Sequence, residues 1–285
     1  MFTRPQIGRN KFKHYLLSCL VLFFSFIIGM IIYLETTESI LKPGMSNKLV
    51  QLIDILGFSI FALIMIIGLL FSVRFVHQRP FKTLITGHAV IRWRLLFIGM
   101  GVLAICMAIT YPIAMLISPN EFEYNGIDNE LFLFVVLSAV FAIPIQTTLE
   151  ELFFRGFLLQ WFGTFIKSTL LLCTVIIIIF AALHFFNPEM AMNPFVVAGG
   201  YVIMSVSYTV SAFVLKGTEF TIGVHAANNM LLMIFFLFSE NALLAPMALW
   251  TINYSTSAFL VTIYGMNLLW LGFVLIFRKR LLKIS

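Results

Sequence analysis

Apolar runs of about 20 residues recur along the whole chain, and short polar stretches between them hold most of the charge. A run of that length crosses the hydrocarbon of a bilayer as an α-helix, whereas a barrel strand needs only about ten residues of alternating character. The pattern predicts eight spans: 15–34, 52–73, 95–117, one beginning near Leu131, 168–186, 195–215, 222–239 and 257–277. The expected fold class is therefore all-α, a polytopic transmembrane helical bundle. Pro144 predicts a kink in the fourth span, because proline removes a helical hydrogen bond. Gly199, Gly200 and Ser205 allow close helix contact in the sixth. Lys216-Gly217 predicts a turn, and segment 241–256, apolar but short and carrying Pro246, reads as a loop or partial re-entry.

Composition strengthens this picture. Of 285 residues 61% are hydrophobic and 11% charged, with a mean hydropathy of +1.04, which no soluble domain approaches. The net charge of +6 could suggest a nucleic-acid partner. However, the cations gather in the N-terminal stretch from Arg4 to Lys13, in the loop with Arg74, Arg79, Lys82, Arg92 and Arg94, and at Arg278, Lys279, Arg280 and Lys283. That distribution orients a membrane protein, so lipid is the expected partner and nucleic acid is not. It predicts N- and C-termini in the cytoplasm and the acidic loop of Glu121, Glu123, Asp128 and Glu130 outside. The run from Tyr15 to Leu34 is too long for a signal-peptide core and reads as a retained first span. Cys19, Cys106 and Cys173 lie in apolar segments without CxxC spacing, as packed thiols do. Abundant Phe and Ile, short loops and no ER-retrieval tail point to a bacterial cell membrane.

Charge inside the apolar segments carries the chemistry. Glu150, Glu151 and Arg155 fall in the apolar stretch from Leu131 to Phe165. An intramembrane charge costs several kcal/mol, so such residues are functional or tightly paired. Glu151 and Arg155 are four apart with the acid first, the better order for a helical ion pair. Glu150 points about 100° away and has no local partner. Two histidines share the apolar second half: His184 after Phe180, and His225 with Asn229 one turn further on. A lone membrane histidine is as readily a packing residue as a functional one. Asp54, Glu189, Lys216 and Glu219 read as interfacial, and Trp161 and Trp250 as interface anchors. The spacing brings two of the groups together. A turn near Lys167 stands 17 residues from both Glu150 and His184, so an antiparallel hairpin sets them at one depth. A carboxylate facing an imidazole can activate water.

Glu150-Glu151-x-x-x-Arg155, Phe180-x-x-x-His184 and His225-x-x-x-Asn229, in that order, resemble the three motifs of the CAAX protease and bacteriocin-processing (CPBP, or Abi) family. The flanking Thr147-Thr148-Leu149 and Phe154-Arg155-Gly156 fit as well, and the resemblance covers about 131–235. It divides the chain into N-terminal spans 1–3 (1–118), a catalytic core of spans 4–7 (119–240), and a last span with a basic tail (241–285). It implies an intramembrane endopeptidase acting on a membrane-associated peptide or protein. Glu150 with His184 would activate the water, His225 and Asn229 would stabilise the tetrahedral intermediate, and Glu151 and Arg155 would support them. Members of the family have been described both as metalloproteases and as metal-free glutamate proteases. Glu150, His184 and His225 could hold zinc, but no HExxH is present, so zinc or no cofactor both stay open. Straight spans leave His184 and His225 about 14 Å apart in depth, a gap the resemblance requires to be closed. Two other readings compete: a non-catalytic scaffold or bacteriocin-immunity protein of the same fold, and a transporter, which the lack of repeats disfavours.

Overall fold

The computed structural model describes residues 2–42, 44–127, 129–240 and 248–284. Among these residues twelve α-helices form a bundle, and seven continuous helical stretches are long and apolar enough to cross a membrane. The first is α1 (Phe12–Ile40), followed by α2 (Asn47–Phe71), which runs on through a π-helical turn to Val76. The short α3 (Lys82–Ile85) lies in the basic loop, and α4 (Trp93–Ile117) is the third crossing. The fourth crossing is composite. It comprises α5 (Asn129–Phe141), α6 (Ile143–Glu151), a π-helical stretch Leu152–Leu158 and α7 (Leu159–Gly163). Pro144 sits in the first turn of α6, so the expected kink is a break at Ala142. A hairpin leads into α8 (Thr169–Leu183), whose N-cap Ser168 accepts from Leu171 N. Then follow α9 (Pro194–Leu215), α10 (Glu219–Phe235), and α11 (Thr256–Phe259), which continues through a π-helical stretch into α12 (Met266–Leu281).

The expected span 222–239 differs. It forms α10, only 17 residues long, and every residue from Glu219 to Asn228 is buried. A helix surrounded by protein need not match the bilayer thickness, which is why it stops short. Its last predicted residues instead form β2 (Phe236–Phe238). β2 pairs in parallel with β3 (Trp250–Ile252), and β3 pairs antiparallel with β1 (Phe122–Tyr124), in the order β1-β3-β2. The expected loop 118–130 thus contains a strand. So does segment 241–256, of which 241–247, like Asp128, lies outside the described residues.

The loops sort to two ends. Arg4 donates to the carbonyls of Gly163, Ile166 and Lys167; Gly87 N donates to Lys216 O; Thr218 N donates to Ile85 O. These contacts join the N-terminal segment, the loop after α2 and two helix hairpins at one end, here the basic end. Ser118 bonds Ser255 and Ser257 at the other, the acidic end, so α12 finishes at the basic end with Arg278, Lys279 and Arg280. Lys216 takes a left-handed conformation with φ 57°, closing the expected turn. Arg92 and Glu219, which the sequence suggests as a loop cation and an interfacial acid, instead form a buried pair. Arg92 Nε and Nη2 donate to the two Glu219 oxygens at 2.9 and 2.8 Å, with both residues 1% exposed. Two glycines lie where α4 and α10 cross. A Cβ on Gly223 would collide with Leu96 O, and one on Gly99 with Phe220 O. Gly199 and Gly200 likewise admit Tyr264, Phe259 and Ile263.

Candidate active site

Glu150 ends the regular turns of α6 with its neighbour Glu151, and the two carboxylates meet opposite environments. Glu151 is fully buried. Its Oε1 accepts from Arg155 Nη1 at 3.0 Å, the pairing expected from the four-residue spacing, and from His225 Nδ1 at 3.0 Å. Arg155 is also fully buried. Its guanidinium lies over the Phe180 ring at 4.1 Å and the Tyr208 ring at 5.1 Å, so aromatic faces supply part of its electrostatic compensation. Glu150 faces a cavity with its side chain 32% exposed, and its Oε2 takes no hydrogen bond from the described residues. That oxygen stands 3.9 Å from His184 Nε2 and 3.9 Å from His225 Nε2.

Hydrogen bonds at the far side of each ring fix which nitrogen faces Glu150. His184 Nδ1 lies 2.7 Å from Phe180 O. A carbonyl only accepts, so Nδ1 carries the hydrogen, and Nε2 is the nitrogen turned toward Glu150, with a lone pair there in the neutral form of the ring. The Glu151 carboxylate does the same for His225. Aromatic neighbours hold the rings: Phe180 and Tyr201 lie tilted against His184, centroids 4.3 and 4.8 Å away, and Tyr208 stacks on His225 at 4.9 Å. Tyr201 and Tyr208 are two turns apart on α9, about 10 Å of rise. Yet both Nε2 atoms stand 3.9 Å from one Glu150 oxygen, so the imidazoles meet despite the depth gap expected from straight spans. Asn229 also lines the cavity. Its Oδ1 accepts from Asn228 Nδ2 at 2.9 Å, so its amide NH₂ is the group it can offer.

The cavity measures about 390 Å³ and brings together Glu150, His184, His225 and Asn229, with Glu151 and Arg155 behind them. One wall is apolar, including Val197, Met204, Leu232, Phe236, Phe259 and Ile263. The other comes from α1 and α2 through Tyr33, Asp54 and Phe58, with Gln146 beside them. Asp54 and Glu189, read from the sequence as interfacial, both line this cavity. Their surrounding apolar sequence hides that role, since only the tertiary fold shows which face meets the cavity. Tyr201, Tyr208 and Asn228 were also missed; the one signal for the tyrosines is their seven-residue spacing on a single helical face. Trp161, expected as an interface anchor, stacks on Tyr15 at 5.8 Å.

Two imidazole lone pairs and a carboxylate are zinc-like donors. Bonds of 2.0–2.1 Å in a tetrahedron put ligand atoms about 3.4 Å apart. The 3.9 Å separations are wider, and among the described residues no group of three His, Cys, Asp or Glu side chains is gathered as a metal centre. The spacing instead suits a single water bridging carboxylate and imidazole.

Residues 129–231 match the model of the type II CAAX prenyl endopeptidase Rce1-like family, a stretch that contains all three motifs. YyaK of Bacillus subtilis (strain 168), an uncharacterised protein, is 33% identical over 244 residues, spanning 82% of this chain and 81% of its own. No solved structure matches the chain. With the motif residues converging on one cavity inside an apolar bundle, the chain belongs to the Rce1-like family of type II CAAX prenyl endopeptidases and is an integral membrane protein with that family's intramembrane protease fold.

Proposed function

We propose that this chain is an intramembrane endopeptidase in which Glu150 and His184 activate water for attack on a peptide bond. The observation that carries the reading is the Glu150 Oε2 position, 3.9 Å from both Nε2 atoms, on a half-buried side chain that lines a cavity. A water held there loses a proton to Glu150 as its oxygen adds to the scissile carbonyl, and Glu150 returns the proton to the leaving nitrogen. The Asn229 amide donates to the developing oxyanion. His225 does so when protonated, a state for which Glu151 is the matching counter-charge. Glu151 and Arg155 hold the His225 ring and touch no substrate. The substrate is a membrane-associated peptide or protein segment. The basic end faces the cytoplasm of a bacterial cell on the positive-inside pattern.

The test compares peptides in membranes carrying wild-type chain or Glu150→Gln, by mass spectrometry. Loss of a general base costs about 10²–10⁴-fold in rate, so cleavage products should vanish in the variant while insertion and melting stay normal. Chelator-treated wild type should keep its turnover, since the protein's own groups hold the water. Equal products from both proteins would leave the scaffold reading in its place.

A further inference from the structure

Asp54 is the one acid of α2, and the mechanism has no use for it. It lines the same cavity as Glu150, and its hydrogen bond from a described residue is a long one, Tyr33 Oη to Oδ1 at 3.3 Å. No ion pair involving Asp54 is formed among the described residues, and no Lys or Arg lines the cavity. A carboxylate at membrane depth without a counter-charge marks a place where a cation is expected. Glu150 and Glu189 line the cavity too, so the field inside it favours positive charge.

The register of α2 against α6 locates Asp54 relative to the reacting groups. Gln146 Nε2 donates to Ile55 O at 3.2 Å and to Ser59 Oγ at 3.0 Å, so Gln146 is level with that turn of α2. Both helices run from the acidic to the basic end. Glu150 is one turn further in, and Asp54 lies on the acidic-end side of Ile55. Together these offsets come to about 6–10 Å. An extended chain covers that distance in about two or three residues.

We infer that the cavity selects a peptide segment carrying a cationic side chain two or three residues from the bond to be cut, with Asp54 as its partner. This inference rests on the endopeptidase reading above, and it gives α1 and α2, outside the family match at 129–231, a part in selection. The apolar wall takes the flanking hydrophobic residues.

Binding tests it apart from turnover. Fluorescent apolar peptides, blocked at both ends, carry one Lys, norleucine or Glu and are titrated against the full-length Glu150→Gln protein in detergent. A fourth peptide, with norleucine and a free N-terminus, asks whether a terminal ammonium serves as well. The Lys peptide should bind about tenfold tighter than norleucine, the scale of one close charge pair, and the Glu peptide weakest. Adding Asp54→Asn should remove the preference, and Asp54→Glu should restore it. Equal binding of Lys and norleucine peptides by the protein with Asp54 intact, or a preference that survives Asp54→Asn, overturns the inference; the first comparison needs no change at Asp54. A Lys preference without any cleavage by wild type would instead overturn the endopeptidase reading alone.

Discussion

Two buried ion pairs, one at the basic end and one behind the cavity, use the same two residue types differently. Glu219 gives both oxygens to Arg92, whose Nη2 also donates to Leu215 O at 3.0 Å. The pair joins the loop before α4 to the start of α10. Glu151 gives a single oxygen, and Arg155 shares it with His225. Arg155 Nε and Nη2 make no hydrogen bond among the described residues and rest on aromatic faces instead. A bidentate pair fixes backbone position. A carboxylate divided between a cation and an imidazole fixes a ring orientation, so on the proposed mechanism the second pair is coupled to chemistry while the first is coupled to architecture.

Breaking the pair behind the cavity should have the largest effect. Arg155→Ala strands a fully buried carboxylate, which costs about 3–5 kcal/mol, and also removes the cation that holds the Glu151 carboxylate against His225. Thermal melting in detergent should fall steeply and turnover should disappear. Glu151→Gln with Arg155→Met should recover part of the melting temperature and none of the turnover; wild-type stability in Arg155→Ala would mean the pair is not the buried element described here.

Arg92→Ala should destabilise less, by about 2–3 kcal/mol, the scale of hydrogen bonds to a charged group. Glu219 lies in the first turn of α10, where the helix N-terminus stabilises its carboxylate when Arg92 is gone. Measurable turnover should remain, because no group in the cavity is touched. Complete loss of activity in a folded Arg92→Ala protein would show that the two pairs do one job.

The smallest effect sharpens the comparison at the basic end. His77 follows the second span, is buried, and bonds Arg9 O through Nδ1 at 2.8 Å. Burial, reinforced by the Arg79 guanidinium, lowers its pKa from 6.5 to about 4. Above pH 6.5 the ring is neutral in both folded and unfolded chains. Between 6.5 and about 4 the unfolded chain takes up a proton that the folded chain refuses, so stability falls as the pH falls. Melting temperatures should decline across that window, and His77→Gln should flatten the decline.

The parts legible in the sequence are those governed by local spacing. The Glu151–Arg155 pair follows from four residues on one helix, and the level of Glu150 with His184 follows from a symmetric hairpin. The spans follow from the length of apolar runs. What escaped depends on which neighbour a side chain meets. Asp54, Glu189, Arg92 and Glu219 all read as edge charges, since sequence position near a span end is the same for a residue facing water, a cavity or a partner. The three-stranded sheet escaped because its strands are three residues each, too short for an alternating pattern, and one of its two pairings joins segments more than 100 residues apart. α10 was drawn too long because apolar sequence marks burial, whether lipid or protein does the burying.

At the crossing of α4 and α10, Gly99 and Gly223 bring one helix's backbone against the other's with no side chain between. His225 lies two residues beyond Gly223 on the same helix, so a shift of α10 against α4 would carry its imidazole along. Two hydrogen atoms thus act as a gauge block for the seat of that ring. Tolerance to change should then run opposite to polarity here: a methyl group at a nonpolar, chemically inert position would displace the imidazole, and natural variation should spare those two glycines as strictly as the charged residues.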